Sequence, residues 1–233
     1  MNIIDNSVVV RICDASVEIP LRGMRSAPDG RDPRIIRKGR GSYVLRAIDN
    51  ASLEIRRGER IGIVGGNGNG KTTLLKLIGG MLPACSGTVQ VFGKVRALLN
   101  LDAGTSPALT GMQNIKLQYA LLGIRSIELD EYIADVVEFS GLGPFIDMPV
   151  GTYSPGMKGR LHFAMNTVEP ADILLLDEWL GVADVAFQQK AQDRLMAYIE
   201  KNEGFLFASH NQALVDQLTS RTIRLDKGKV LYE

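Results

Sequence analysis

The run Gly65-Gly66-Asn67-Gly68-Asn69-Gly70-Lys71-Thr72 constrains this chain more than any other feature. It fits G-x-x-x-x-G-K-[ST], follows the apolar stretch Ile61-Gly62-Ile63-Val64 and precedes Leu74-Leu75-Lys76-Leu77-Ile78. That is the strand–loop–helix setting in which such a loop works. Its glycines let the backbone curl so that several N–H groups point inward at a phosphate, assisted by the helix N-terminus. Lys71 supplies a point charge for the β- and γ-phosphates, the Thr72 hydroxyl is a natural Mg²⁺ ligand, and Thr73 continues the loop into the helix. A nucleoside triphosphate with Mg²⁺ is the expected ligand.

The rest of the chain is patterned to suit such a loop. Val8–Ile12, Ser16–Ile19 and Ala51–Ile55 read as β structure, and Gly87–Phe92 alternates like an exposed strand. From about 111 to 140 the period becomes helical, and a further helix starts near Pro155, a residue suited to the first helical turn. Strand Ile173–Leu176, helix Phe187–Ile199, strand Phe205–Ala208, helix Gln212–Leu218 and strand Thr222–Leu225 then alternate, which predicts a mainly parallel sheet. The expected fold is therefore α/β. A single domain over 1–233 has its β and phosphate-loop core at about 1–98 and 168–233, with a helical insertion at about 99–167. No apolar run reaches the roughly 18–20 residues of a membrane span, and the N-terminus lacks the basic-then-apolar pattern of a signal peptide. The two cysteines, Cys13 and Cys85, form neither a disulfide framework nor a metal-ligand spacing.

Asp177 and Glu178 close the apolar strand Ile173–Leu176, and strand C-termini are where open α/β sheets bind ligands. The Asp can hold Mg²⁺, and the Glu can orient a water for in-line attack on a γ-phosphate. A helix-capping role is the plainer alternative for both. Tyr153-Ser154-Pro155-Gly156-Met157 begins a second glycine motif, with Ser154 lying 23 residues before Asp177. Asp184 follows Asp177 by seven residues and His210 follows Glu178 by 32.

This order of phosphate loop, Ser-x-Gly segment, Asp-Glu strand, aspartate and histidine resembles an ABC-type ATPase. Asp147-Met148-Pro149-Val150, Thr152 to Met157, Leu109 to Ile115 and Ala183 to Gln188 resemble, within that family, the ATP-binding subunits of capsular-polysaccharide and O-antigen (lipopolysaccharide) exporters. Teichoic-acid exporters are close relatives. The resemblance implies a phosphate-loop ATPase core with an N-terminal antiparallel β-subdomain and an inserted helical signature subdomain.

It further implies that Gly65 to Thr73 bind the phosphates, Thr72 and Asp177 hold Mg²⁺, Glu178 polarises the water and His210 contacts the γ-phosphate. Ser154, Gly156 and Met157 would meet the ATP of the other copy in a homodimer, and Asp184 would report across that dimer. Tyr43 stands where the family stacks an aromatic on adenine, with packing on the sheet as its alternative. Asn100 aligns with the position of the usual glutamine. Pro155 replaces a small residue and has no N–H to donate, which leaves donation to the Ser154 hydroxyl and the Gly156 amide. The implied partners are a separate transmembrane permease and a lipid-linked polysaccharide, at the cytoplasmic face of the inner membrane. Some O-antigen exporters append a carbohydrate-binding domain at the C-terminal end. Whether one belongs to this protein stays open.

Residues 21–41 hold Arg22, Arg25, Arg31, Arg34, Arg37, Lys38 and Arg40 against Asp29 and Asp32. This basic insertion carries a local charge of +5 in a chain whose total is +1. A solvated loop and contact with anionic lipid are both open readings. Nucleic acid is not expected, since no aromatics interleave the charge. Rival functions are a soluble ABC-type ATPase without a transport role, and a phosphate-loop kinase, which would have no use for Ser154-Pro155-Gly156.

Overall fold

The computed structural model describes residues 7–24, 32–39, 41–99, 104–178 and 185–232. The chain divides into two compact units. One comprises Met1–Leu99, Asp172–Trp179 and Glu203–Glu233, and the other Asn100–Ala171 and Leu180–Asn202, each over its described residues. In this division 180–202 falls in the second, helical unit.

The first unit contains two sheets. Strands β1 (Val8–Pro20), β2 (Ile35–Gly39), β3 (Ser42–Arg56) and β5 (Ser86–Val91) form an antiparallel sheet in the order β2-β3-β1-β5. Strands β4 (Arg60–Val64), β6 (Val95–Leu98), β7 (Ile173–Asp177), β8 (Gly204–Ala208), β9 (Arg221–Asp226) and β10 (Lys229–Tyr232) form the second, ordered β10-β9-β4-β8-β7-β6. It is parallel except for its edge strand β10. Helix α1 (Lys71–Ile78) follows β4 directly after the phosphate loop, and helix α6 (Gln212–Leu218) joins β8 to β9.

Sequence patterning accounts for most of this. Ile61, Ile63, Ile173, Leu175, Leu206, Ala208, Ile223 and Leu225 are buried with Leu74, Leu75 and Ile78 of α1 in one core. Burying each such large aliphatic side chain contributes roughly 1.5–3 kcal/mol. The β runs expected at 8–12 and 16–19 lie in one strand with an irregularity between them. Asp14 takes a left-handed φ of 49°, and the register with β3 slips between Ile12 and Ala15. Such a bulge interrupts the alternation on which a sequence reading depends. Strands β2, β6 and β10 are short and lie at or next to sheet edges, where little periodic burial marks them.

The helical unit comprises α2 (Gly111–Leu122), α3 (Leu129–Ser140), α4 (Pro155–Asn166) and α5 (Val185–Glu200), with short 3-10 turns between α3 and α4. Buried Tyr132, Phe139, Phe163 and Phe187 form its aromatic centre, and the Tyr132 hydroxyl donates to Met165 O at 2.7 Å. Arg194 lies over the Phe139 ring at 4.2 Å while bonding Asp135. Two of the family-like segments have a structural role here. Thr110 and Gln113 form a capping box at the start of α2. Asn114 is fully buried and bridges Ser106, Leu109 and Thr110. Met148 and Val150 bond back to Gly111 and Leu109 through their backbones.

Candidate functional site

The phosphate loop runs from the end of β4 into α1, and its curl depends on glycine. Gly70 caps α1 with φ 106°, and a Cβ there would sit 2.6 Å from Ala47 O. An L-residue is strained in that conformation and its side chain meets backbone that cannot yield. The variant Gly70→Ala is therefore expected to lose at least tenfold in ATP affinity, read by titration with a fluorescent ATP analogue. Wild-type affinity would contradict this account of the loop.

Hydrogen bonds tie the loop to itself and to the sheet. Lys71 is buried, and its Nζ donates to Gly65 O at 2.8 Å and Gly66 O at 3.3 Å. The Asn69 side chain donates to Leu225 O at 3.1 Å and accepts from the Lys227 amide at 3.3 Å. The Gly228 amide donates to Asn69 O at 3.0 Å, so the β9–β10 turn straps the loop to the sheet. Nothing in the sequence near Asn69 announces these partners.

A cavity of about 430 Å³ opens over the loop, lined by Asn67, Gly68, Gly70, Lys71, Thr72, Thr73, Asp177 and Glu178, with Ile19, Leu45 and Ala47 on the β1–β3 side. Of the expected residues, the structure gathers Asn67, Gly68, Gly70 to Thr73, Asp177 and Glu178 around one space, while Gly65, Gly66 and Asn69 do not line it. Ile19, Leu45 and Ala47 form an apolar wall to that space, a role the sequence reading did not give them. Tyr43 is half-buried on the same face of β3 as Leu45 and Ala47, opposite Arg37 of β2, but it is not part of the cavity wall.

Glu178, just past β7, holds a left-handed φ of 56°. Non-glycine residues adopt that region at a cost, and they cluster at functional sites. Its amide donates to Ala208 O at 2.7 Å, which ties it to the end of β8. His210 Nδ1 lies 2.8 Å from Glu178 Oε2, and the Ser209 hydroxyl donates to the same oxygen at 3.2 Å. The expected Glu178 and His210 are thereby brought into direct contact. Ser209, which the sequence reading passed over, completes the arrangement.

In the helical unit, Ser154 caps α4, its hydroxyl oxygen accepting from the Met157 amide at 3.2 Å, with Pro155 in the first turn. That first-turn N–H has no intrahelical partner in any helix, so proline removes nothing the helix needs. Ser154, Gly156 and Met157 line a cavity of about 580 Å³ with Gly141 to Phe145 and Arg160. His162 is buried at 2% exposure, and both cysteines are exposed. Asn100 and Asp184 lie outside the described residues.

The basic insertion is partly spent on internal pairs. Lys38 Nζ bonds Glu18 at 2.8 Å and Arg34 pairs with Asp32 at 2.6 Å. The Arg34 guanidinium holds the Asp32 carboxyl down to about 2, and the Lys38 ammonium, followed by Arg46, lowers that of Glu18.

The model of the ABC transporter family matches residues 48–181, more than half of the chain. The chain is 42% identical over 195 residues to the O-antigen export system ATP-binding protein of Yersinia enterocolitica, covering 83% of this chain and 81% of that protein. A protein of the same description from Klebsiella pneumoniae is 39% identical, over 79% of this chain and 75% of its own length. The teichoic acids export ATP-binding protein of Enterococcus faecalis is 39% identical over 78% of this chain but only 40% of its own length. Among solved structures, a dimeric post-hydrolysis ATP-binding cassette bound to ADP and Pi superposes with a TM-score of 0.71, over 95% of this chain and 96% of that one. At 18% identity that likeness concerns the fold. By this family match and these relatives, the chain belongs to the ABC transporter family as an ATP-binding, ATP-hydrolysing subunit.

Proposed function

We propose that this protein powers export of a lipid-linked polysaccharide of the O-antigen type, acting as a homodimer on a separate membrane permease at the cytoplasmic face of the inner membrane. The observation that carries the reading is the extent of the match. The O-antigen export protein of Yersinia enterocolitica is matched at 42% identity over 81% of its length, the teichoic-acid protein of Enterococcus faecalis at 39% over 40% of its length. Consistent with a separate permease, no helix among the described residues is long and apolar enough to cross a membrane.

The chemistry follows from the cavity residues. Lys71 and the inward loop amides neutralise and position the phosphates of ATP, and Ile19, Leu45 and Ala47 offer the apolar surface for its base, with Tyr43 beyond them. Glu178 accepts a proton from a water that attacks the γ-phosphorus in line. The bond to the β–γ bridging oxygen breaks, and ADP and phosphate result. With Nδ1 of His210 donating to Glu178, its Nε2 is the nitrogen left for a phosphate oxygen.

The Thr72 hydroxyl and the Asp177 carboxylate share the cavity with Lys71, and these hard oxygen donors fit Mg²⁺, which takes one or two protein oxygens and completes its shell with phosphates and water. Bound there, the ion would neutralise charge on the phosphate oxygens. The Ser154 hydroxyl and Gly156 amide of one copy complete the site of the other, and Asp184 reports between copies. An open cavity at the start of α4 leaves room for that approach.

The test is affinity purification of tagged Glu178→Gln chain from detergent-solubilised native membranes, with mass spectrometry of what accompanies it. A stoichiometric multi-span permease is expected. Recovery from the cytosol with no membrane partner would overturn export and leave the ATPase chemistry standing. Deleting the chain distinguishes the teichoic-acid alternative by which undecorated or untransported glycan accumulates.

A further inference from the structure

We propose that Arg34, in the basic insertion, is a positioning residue of the phosphate loop: by holding the Gly68 carbonyl it sets how tightly the loop grips ATP. Arg34 Nη1 donates to Gly68 O at 2.8 Å. The other edge of the guanidinium is clamped by Asp32, with Nε at 3.0 and 3.1 Å from its two oxygens and Nη2 at 2.6 Å. The Arg34 amide donates to Asp32 at 3.0 Å, and its carbonyl accepts from the Arg46 amide of β3 at 2.9 Å. Backbone and side chain are thus both fixed, and the side chain is only 14% exposed.

The effect on the loop follows from peptide geometry. In a planar trans peptide, C=O and N–H point in opposite directions. Holding Gly68 O toward Arg34 therefore turns the Asn69 N–H the opposite way, where it meets Gly66 O at a long 3.3 Å. The next peptide is set in the same way, since Gly228 holds Asn69 O and so turns the Gly70 N–H. Two consecutive amides are aimed by two tethers, and Arg34 is one of them.

Lys71 also holds loop carbonyls, at Gly65 and Gly66, but it must leave them to reach a phosphate. Arg34 and the Asn69 strap then remain. Gly68 has φ 74°, a region open to several glycine conformations, so an external tether has work to do there. Because Asp32 neutralises the guanidinium and stays ionised far below neutral pH, the pair contributes orientation rather than charge.

The inference rests on the phosphate-loop reading of the site and is independent of the exported cargo. Calorimetric titration of the full chain with MgATP and with MgADP tests it, alongside kcat and the nucleotide-free melting temperature. Wild type must bind ATP, and failure there would refute the site reading itself. For Arg34→Ala we expect about tenfold weaker binding of both nucleotides, kcat at saturating ATP within about twofold of wild type, and a nearly unchanged nucleotide-free melting temperature. Arg34→Lys, which cannot span Asp32 and Gly68 with a planar fork, should recover part of the loss. Asp32→Asn, which touches nothing in the loop, should weaken binding about threefold by loosening Arg34. Wild-type affinity in Arg34→Ala would overturn the proposal. A loss confined to ATP would do so too, since it would mean direct contact with the γ-phosphate. Should Arg34→Ala fail to fold, unchanged nucleotide affinity in Asp32→Asn overturns it alone.

Discussion

Replacing Glu178 by Gln is expected to leave ATP binding within about threefold of wild type while lowering kcat by roughly 10²- to 10⁴-fold, the range lost with a general base. The amide keeps the size of the side chain and can still meet Ser209, which donates to it at 3.2 Å in the wild type. It cannot take a proton from water. Its contact with His210 Nδ1, 2.8 Å in the wild type, exchanges a carboxylate acceptor for an amide, which is weaker by about half. The left-handed backbone at 178 is unaltered by the change, so the fold should persist. Single-turnover hydrolysis, measured beside equilibrium ATP binding, separates the two effects. Near-wild-type turnover would remove Glu178 from the base role and turn attention to His210.

The second large effect is expected at Lys71. Lys71→Ala should raise the dissociation constant for MgATP by about 10²-fold, as removal of a charge-assisted contact of roughly 1.5–3 kcal/mol from a buried site implies. In the ligand-free loop Lys71 also caps Gly65 O and Gly66 O, at 2.8 and 3.3 Å. Its loss therefore leaves two carbonyls without that donor, and a fall in nucleotide-free melting temperature of a few degrees should accompany the affinity loss. Equilibrium dialysis with labelled ATP and a melting curve report the two separately. Intact affinity would contradict the assignment of the loop.

The contrast between these residues and Arg34 shows where a sequence is legible. Gly65 to Thr73, Asp177 with Glu178, and Ser154 with Gly156 are each local: one strand end, one turn, one helix start. Strand–turn–helix geometry alone places their backbone groups, so residue type and spacing suffice. The helices were equally readable, because amphipathic periods and caps such as Ser154 and Thr110 lie within a few residues of what they stabilise. Strand β2 and the irregularity at Asp14 were not, since short edge pairing and a register slip leave no period to read.

What the sequence determined by itself, then, is the chemistry available: a phosphate cradle, a cation, a carboxylate pair and a serine-capped glycine turn, all set by nearest neighbours. What only the tertiary structure decided is which distant groups hold that chemistry in place. Asn69 meets Lys227, 158 residues away, and Arg34 meets Gly68, 34 away. Ile19 and Leu45 form the wall of the cavity because β1 and β3 pair in one register. His210 reaches Glu178 because β7 and β8 are parallel neighbours whose ends coincide, Asp177 standing opposite Ala208. Hydrogen bonds act over about 3 Å and carry no memory of separation along the chain, so strand order and register, not spacing, choose their partners.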